Sequence, residues 1–261
     1  MDSMKITLLG TGTSCGVPVI GCQCEVCRSE DPHDKRLRCS ILVETEHTRI
    51  LVDAGPDFRQ QILPQTFRRI DGILVTHSHY DHVGGMDDIR PYCQFGQIDV
   101  YADPIACKGM LEMLPYCFAE NRYPGVPAIG LHEIHAGQHM RIGDIDILPV
   151  EVMHGKLPIL GYRFGDFAYI TDMKTIADDQ AALLQGIDTL VVNALRFDKP
   201  HHSHQLVDDA ISFARRIDAR HTLLTHMCHD VGLHAKVNKT LPHDVKLAYD
   251  GQVLFLANEV K

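Results

Sequence analysis

The stretch Thr76-His77-Ser78-His79-Tyr80-Asp81-His82 follows directly on the apolar run Gly72 to Val75 and is itself followed by Val83 and two glycines. Three imidazoles and a carboxylate within six residues, at the end of a predicted strand, form a ligand set rather than ordinary surface composition. In an extended or turning segment His77 and His79 point the same way and can hold one cation, while Asp81 and His82 swing towards a neighbouring one. Imidazole with carboxylate suits zinc, manganese or iron. A solvated histidine-rich turn has no need of this ligand set, whereas a metal site does.

Further ligands are then expected at the ends of other strands. His154 follows IDILPVEVM, Asp172 follows FAYIT, and His226 follows HTLLT; Asp53 follows ILV and precedes Ala-Gly. The strand-like runs are Lys5 to Leu9, Ile41 to Val43, Arg49 to Val52, Gly72 to Val75, Ile98 to Tyr101 and Ile145 to Val150. They resume at Leu160 to Phe164, Phe167 to Ile170, Thr189 to Val192, His221 to Leu224, Val245 to Ala248 and Val253 to Leu256. Short length and β-branched content identify them. Helical spacing covers Ile105 to Phe118, Lys174 to Leu184 and Ser203 to Ile217, the last with an apolar stripe through Leu206, Val207, Ala210, Ile211, Ala214 and Ile217. Strand hairpins mixed with helices predict a layered α/β protein. Each half is a run of strands followed by helices, yet no repeat of fixed period joins them, and one domain over residues 1–261 is the simplest division.

The 261 residues are 45% hydrophobic, enough for a substantial core, and carry a formal charge of -9. That charge slows approach to DNA, RNA or an anionic membrane, so no DNA and no membrane partner is expected. A small phosphorylated substrate stays compatible, because a bound cation reverses the field inside one pocket. No apolar stretch approaches the roughly 20 residues of a bilayer span. No basic segment leading into an apolar run opens the sequence, which makes the cytoplasm the expected location.

Of nine cysteines, Cys15, Cys39, Cys93, Cys107, Cys117 and Cys228 are scattered, and buried single thiols behave as small hydrophobes. Cys22, Cys24 and Cys27 stand together as C-x-C-x-x-C in the long irregular stretch at about residues 10–39. A disulfide would leave one of them over and belongs to an oxidising compartment. A redox pair of Cys24 and Cys27 lacks a thioredoxin-like βαβ setting. A structural zinc takes three thiolates and needs a fourth ligand. His229, just past His226 in THMCHD, supplies one; Cys228 or Cys39 are substitutes.

The THSHYDH stretch, with His154, Asp172 and His226 in order behind it, resembles the metallo-β-lactamase fold hydrolases, whose signature is H-x-H-x-D-H. The resemblance covers nearly the whole chain and implies a four-layer αββα sandwich with the site where strand ends of both halves meet. It implies His77, His79, His154 and Asp172 on one divalent ion and Asp81, His82, Asp172 and His226 on the other, with Asp172 bridging and Asp53 supporting the histidines from behind. A water between two such ions is a hydroxide near neutral pH, and the pair stabilises attacking and leaving oxygens. Within the fold, GTGTSCGVP followed by GCQCEVC, the RCS before a strand and T-H-x-x-H near the C-terminus are similar to the phosphoribosyl cyclic phosphate phosphodiesterases of the carbon-phosphorus lyase pathway. That likeness implies a structural zinc on Cys22, Cys24, Cys27 and His229, beside two catalytic ions, zinc or manganese, and allows a homodimer.

The expected activity is therefore metal-dependent hydrolysis of a small or cyclic phosphodiester, with Asp81 and His204 as the catalytic residues. His204, in KPHHSHQL at the start of a predicted helix, is the expected proton donor to the leaving group, with His201 in reserve. A helix N-terminus there would also attract phosphate. Asn193 and Arg196, in LVVNALRFD, depart from the acidic, histidine-containing pattern of the resembled phosphodiesterases and leave the particular substrate open. Arg196 binds a phosphate or lies on the surface. Competing expectations are a tRNA-processing nuclease, a thioesterase or lactonase on the same fold, and a non-catalytic metal-binding regulatory module. The relative of pyrroloquinoline quinone synthesis also carries a cysteine knuckle, but with a degraded metal signature where THSHYDH is complete.

Overall fold

The computed structural model describes residues 3–119, 121 and 123–257. The ends of the expected domain, residues 1, 2 and 258–261, and positions 120 and 122 lie outside them. The strands are β1 (Ser3–Gly10), β2 (Ser40–Glu44), β3 (Arg49–Val52), β4 (Gly72–Leu74), β5 (Ile98–Ala102), β6 (Ile129–Glu133) and β7 (Met140–Ile142). Then come β8 (Ile145–His154), β9 (Leu157–Phe164), β10 (Phe167–Ile170), β11 (Thr189–Asn193), β12 (His221–Thr225), β13 (Val245–Leu247) and β14 (Gln252–Ala257). They form two seven-stranded sheets, β14-β1-β2-β3-β4-β5-β6 and β13-β12-β11-β10-β9-β8-β7.

Strand alternation divides the apolar residues among three cores, and this division is the sandwich. In the first sheet Ile41, Val43, Ile50 and Val52 face inwards, while Leu42 and Leu51 face the helical side with Phe58, Ile89 and Met110. In the second, Phe167, Tyr169, Val191 and Leu223 meet the first sheet, while Ala168, Ile170, Val192 and Leu224 pack under Ala210, Phe213 and Ile217. Each sheet is thus buried on both faces, which is why its strands read as apolar runs rather than alternating ones. Helix, sheet, sheet, helix follows, as the α/β sandwich expectation had it.

At the edge that carries the site the sheets are joined by hydrogen bonds. Leu160 N donates to Thr76 O at 3.0 Å, and the buried Tyr162 hydroxyl donates to Val75 O at 2.6 Å. Beyond β4, Gly55 and Gly85 let the ligand loop close over the chain: a Cβ on Gly55 would lie 2.0 Å from Asp81 O, and one on Gly85 would lie 2.0 Å from Gly55 O.

The helices depart from expectation in identifiable ways. The predicted Ile105 to Phe118 is two helices, Pro104–Met113 and Pro115–Phe118, because Pro115 has no N–H to continue the first. The predicted Lys174 to Leu184 shrinks to Asp178–Ala182, since Lys174 and Thr175 pair with Met153 as a short bridge. The predicted Ser203 to Ile217 begins only at Val207. Gln205 N bonds Met173 O and Leu195 N bonds Gln205 O, so this stretch is tied to the sheet, and Asp209 caps Leu206 N instead. His204 is therefore not at a helix N-terminus. Strands β6 and β7 were not anticipated: IGLHE carries glycine and polar residues, and MRI is three residues long. Among the described residues no helix is long and apolar enough to cross a membrane.

Gly55→Ala should lower stability by about 1–3 kcal/mol through forced displacement of the Asp81 carbonyl. Urea unfolding followed by circular dichroism reads the loss, and an unchanged midpoint would contradict the packing described.

Candidate metal centre

Strand ends from both sheets deliver the side chains. Asp53 follows β3, His77 and His79 come just after β4, His154 closes β8, Asp172 lies two residues past β10, and His226 follows β12. Asp53, Asp172 and His226 have φ of 61°, 57° and 54°, the left-handed region that non-glycine residues seldom occupy. Three such residues at one site mark local strain held in place by its surroundings.

The ligand atoms collect in two nests. His77, His79 and His154 form one; Asp81, His82, Asp172 and His226 form the other, each with its donor atoms within 4.8 Å of one another. Asp172 also shares such a distance with His154 and His204, which places it between the nests. Asp172 Oδ1 stands 3.0 Å from His226 Nε2 and 3.7 Å from His204 Nδ1, while its Oδ2 stands 3.3 Å from His82 Nε2.

Two of the imidazoles are oriented from behind. His154 Nδ1 donates to Asp172 O at 2.8 Å, turning Nε2 towards the nest. His82 Nδ1 donates to Asp53 Oδ2 at 2.7 Å. Asp53 also accepts from Thr76 N at 2.8 Å and Thr76 Oγ1 at 2.9 Å, so one fully buried carboxylate fixes the start of the loop and its last histidine. The Thr171 hydroxyl donates to Asp172 Oδ2 at 2.6 Å.

The electrostatics suit bound cations. Burial works against charge on Asp172, yet His226 and His82 hold its carboxyl well below the usual range. Burial likewise opposes protonation of His82 and His226, but Asp53 and Asp172 raise the first well above its ordinary value, and Asp172 raises the second to about 9. Coordination needs the deprotonated ring nitrogen, so a metal ion bound here would take the place of a proton on these rings. His82 Nε2 and His226 Nε2, the ring nitrogens that face Asp172, are buried without a hydrogen-bond partner, as ligand atoms would be. Burial and then the charge of His82 push His77 well down, leaving it neutral and able to coordinate.

A second cluster lies in the N-terminal loop. The sulfurs of Cys22, Cys24 and Cys27 lie 3.2, 3.2 and 3.5 Å from His229 Nδ1. Tetrahedral sulfurs about 2.3 Å from a zinc would stand about 3.8 Å apart, and the four donor atoms here all fall within 4.8 Å. The amide of Cys27 donates to the Cys24 sulfur and brings that thiol down to about 6. Cys39 is not in this cluster; it is buried beside Thr225 Oγ1 at 3.4 Å, and burial raises it to about 12. Cys228 is also buried outside it.

His204 joins the centre through ring contacts, stacked on His226 at 4.7 Å and tilted against His154 at 4.7 Å and His201 at 4.8 Å. Arg196 does not reach it: its Nε donates to Asp198 O and Lys199 O, and its Nη1 lies 3.7 Å from Asp230. Asn193, the other departure noted in the sequence, is buried and clamps Met173, accepting from its N at 2.7 Å and donating to its O at 2.9 Å. Sequence reasoning missed Asn193, Thr76 and Thr171 as parts of the site. A signal was available for the last two: threonine immediately precedes His77, Asp172 and His226 alike.

This fold and these nests define a metal-dependent hydrolase of the metallo-β-lactamase fold. Residues 48–227 match the β-lactamase superfamily domain, and the chain belongs to that family. A solved diphosphatase of the PhnP family is 38% identical, with a TM-score of 0.90 over 97% of each chain. The chain is 43% identical over 249 residues, 95% of its length, to a Porphyromonas gingivalis protein named octanoyltransferase, but spans only 51% of that relative. An exodeoxyribonuclease, WalJ, of Streptococcus pneumoniae is 27% identical over 82% of this chain and 77% of its own.

Asp53→Asn should destabilise the protein by about 3 kcal/mol, because the His82 imidazolium loses its buried counter-charge. It should also weaken metal retention in the Asp81 nest. Urea unfolding of metal-stripped protein and emission analysis of the loaded protein read the two effects separately.

Proposed function

We propose that the chain is a dinuclear phosphodiesterase acting on a small or cyclic phosphate ester, with a separate structural zinc. The observation that carries this reading is Asp172, a single buried carboxylate whose oxygens face donor atoms of both nests. His77, His79 and His154 would hold one ion, Asp81, His82 and His226 the other, with Asp172 between them. Zinc or manganese suits these donors. Bound there, the pair would supply a hydroxide nucleophile at neutral pH and stabilise charge on the phosphoryl oxygens. Likeness to a diphosphatase over nearly the full length supports phosphorus–oxygen chemistry. The octanoyltransferase name belongs to a protein twice as long and does not redirect the reading.

His204 is assigned to the leaving group. Burial and the neighbouring His226 push it down to about 3, so it is neutral at neutral pH before substrate arrives. A phosphate anion entering between the nests and His204 supplies the negative charge that favours its protonation, and the proton then goes to the departing oxygen. Burial works against charge on Asp81, but His226 and His82 hold its carboxyl well below the usual range, and it completes the second nest. Cys22, Cys24, Cys27 and His229 would hold the structural zinc. The substrate partner is a small phosphorylated molecule; a cytoplasmic location, no DNA or membrane partner and a homodimer belong to the same proposal, over one domain of residues 1–261.

Metal emission analysis of protein purified without chelator should give about three ions per chain, and about two for Cys24→Ser. Two ions in both proteins would remove the structural zinc from the proposal. His204→Ala should retain its metals and hydrolyse bis(p-nitrophenyl) phosphate, but lose about 100-fold on diesters with poor leaving groups. Loss of metal in that variant would make His204 a ligand and overturn its role as acid.

A further inference from the structure

Left-handed turns at Asp53, Asp172 and His226 persist only where their surroundings hold them. The Asn193 amide, clamped on Met173, holds the turn at Asp172. For the other two the holding groups lie side by side in the sequence, in the Arg38-Cys39-Ser40 stretch that leads into β2. Ser40 is fully buried, and its hydroxyl donates to Asp53 O at 2.8 Å. The register explains the contact: Ile41 pairs with Val52, so Ser40 falls opposite Asp53, where the turn carries the chain out of the ladder.

Cys39 comes one residue earlier and turns to the other face, inwards with Ile41. There it meets the end of β12 from the opposite sheet. Its sulfur lies 3.4 Å from Thr225 Oγ1, and the amide of His226 approaches the same sulfur. A thiol donates through S–H and accepts at sulfur, so one side chain serves both the Thr225 hydroxyl and the His226 N–H. An apolar side chain of that size would fill the space and serve neither. The two contacts converge, because Asp53 orients His82, and His82 and His226 share one nest with Asp81 and Asp172.

We propose that Cys39 and Ser40 are positioning residues for the Asp81 nest, Cys39 setting the backbone that presents His226 and Ser40 the backbone that presents Asp53 to His82. Neither touches a metal ion; each acts through the ligand or its carboxylate support. Removal of such groups behind metal ligands lowers metal affinity by about 10- to 100-fold. The inference rests on the two-metal part of the proposed function and not on its substrate.

The test is titration of the metal-stripped full chain with cobalt(II), followed by its visible absorption against a competing chelator. Cobalt held by the cysteine cluster is told apart by its sulfur charge-transfer bands, which leaves the steps that belong to the two nests. Cys39→Ala should weaken one of these steps about tenfold or more and leave the other unchanged. Ser40→Ala should weaken the same step, and Cys39→Ser, which keeps a donor and an acceptor, should stay close to wild type. Unchanged affinities in both alanine variants, or an equal loss at both steps in Cys39→Ala, would overturn the inference. Should Cys39→Ala not fold, as judged by circular dichroism, Ser40→Ala carries the same decision. A wild type that takes up cobalt only in the cysteine cluster would remove this inference and the two-metal reading together. Selective weakening in a protein that hydrolyses no diester would keep the inference while removing the phosphodiesterase.

Discussion

A carboxylate removed from water must find positive charge, and the cleft between the two sheets holds three of them. Asp53 is fully enclosed, Asp172 nearly so, and Asp81 faces Asp172 across His82. An uncompensated buried charge costs several kcal/mol, so the arrangement is stable only with cations in place, whether protons on imidazoles or metal ions. Every nearby element serves that requirement. Thr76 fixes Asp53, Asp53 fixes His82, Thr171 fixes Asp172, and Asn193 clamps the residue that follows it. The stability of the loop and its capacity for metal are one property seen in two states of occupancy.

The sandwich supplies the geometry. Neighbouring parallel strands β3, β4 and β10 to β12 end at the same edge, and each drops its ligand one or two residues beyond the last ladder bond or slightly later. The left-handed turns at Asp53, Asp172 and His226 bring the side chains back over the strand ends, where a continuing strand would carry them away. Rigid strands with short strained turns fix positions more closely than long loops do.

Much of this was legible because the ligands adjoin apolar runs that announce themselves. THSHYDH, His154, Asp172 and His226 could be placed from the strands before them, and every strand expected was found, with bounds within a few residues. The twelve runs did not reveal β6 or β7, whose residues are too polar or too few. Helix starts were misjudged where tertiary hydrogen bonds took the backbone first, as at Gln205 and Lys174. The role of Asn193 was hidden for a different reason: its partner is a backbone twenty residues away, and no local pattern reports such a contact. The choice of His229 over Cys39 or Cys228 beside the three cysteines likewise depended on a closure of about two hundred residues.

The position of β14 bears on how the chain is made. This strand pairs antiparallel with β1, from Ser3 opposite Ala257 to Leu8 opposite Gln252, so the first sheet joins segments from near both ends of the sequence. During synthesis from the N-terminus, β1 therefore waits with an open edge until the second sheet has emerged. An unpaired apolar edge invites pairing with a neighbouring chain. Contacts so distant in sequence also form slowly. The interval between translation of residue 10 and residue 252 is thus the period in which this protein most needs protection from its own copies.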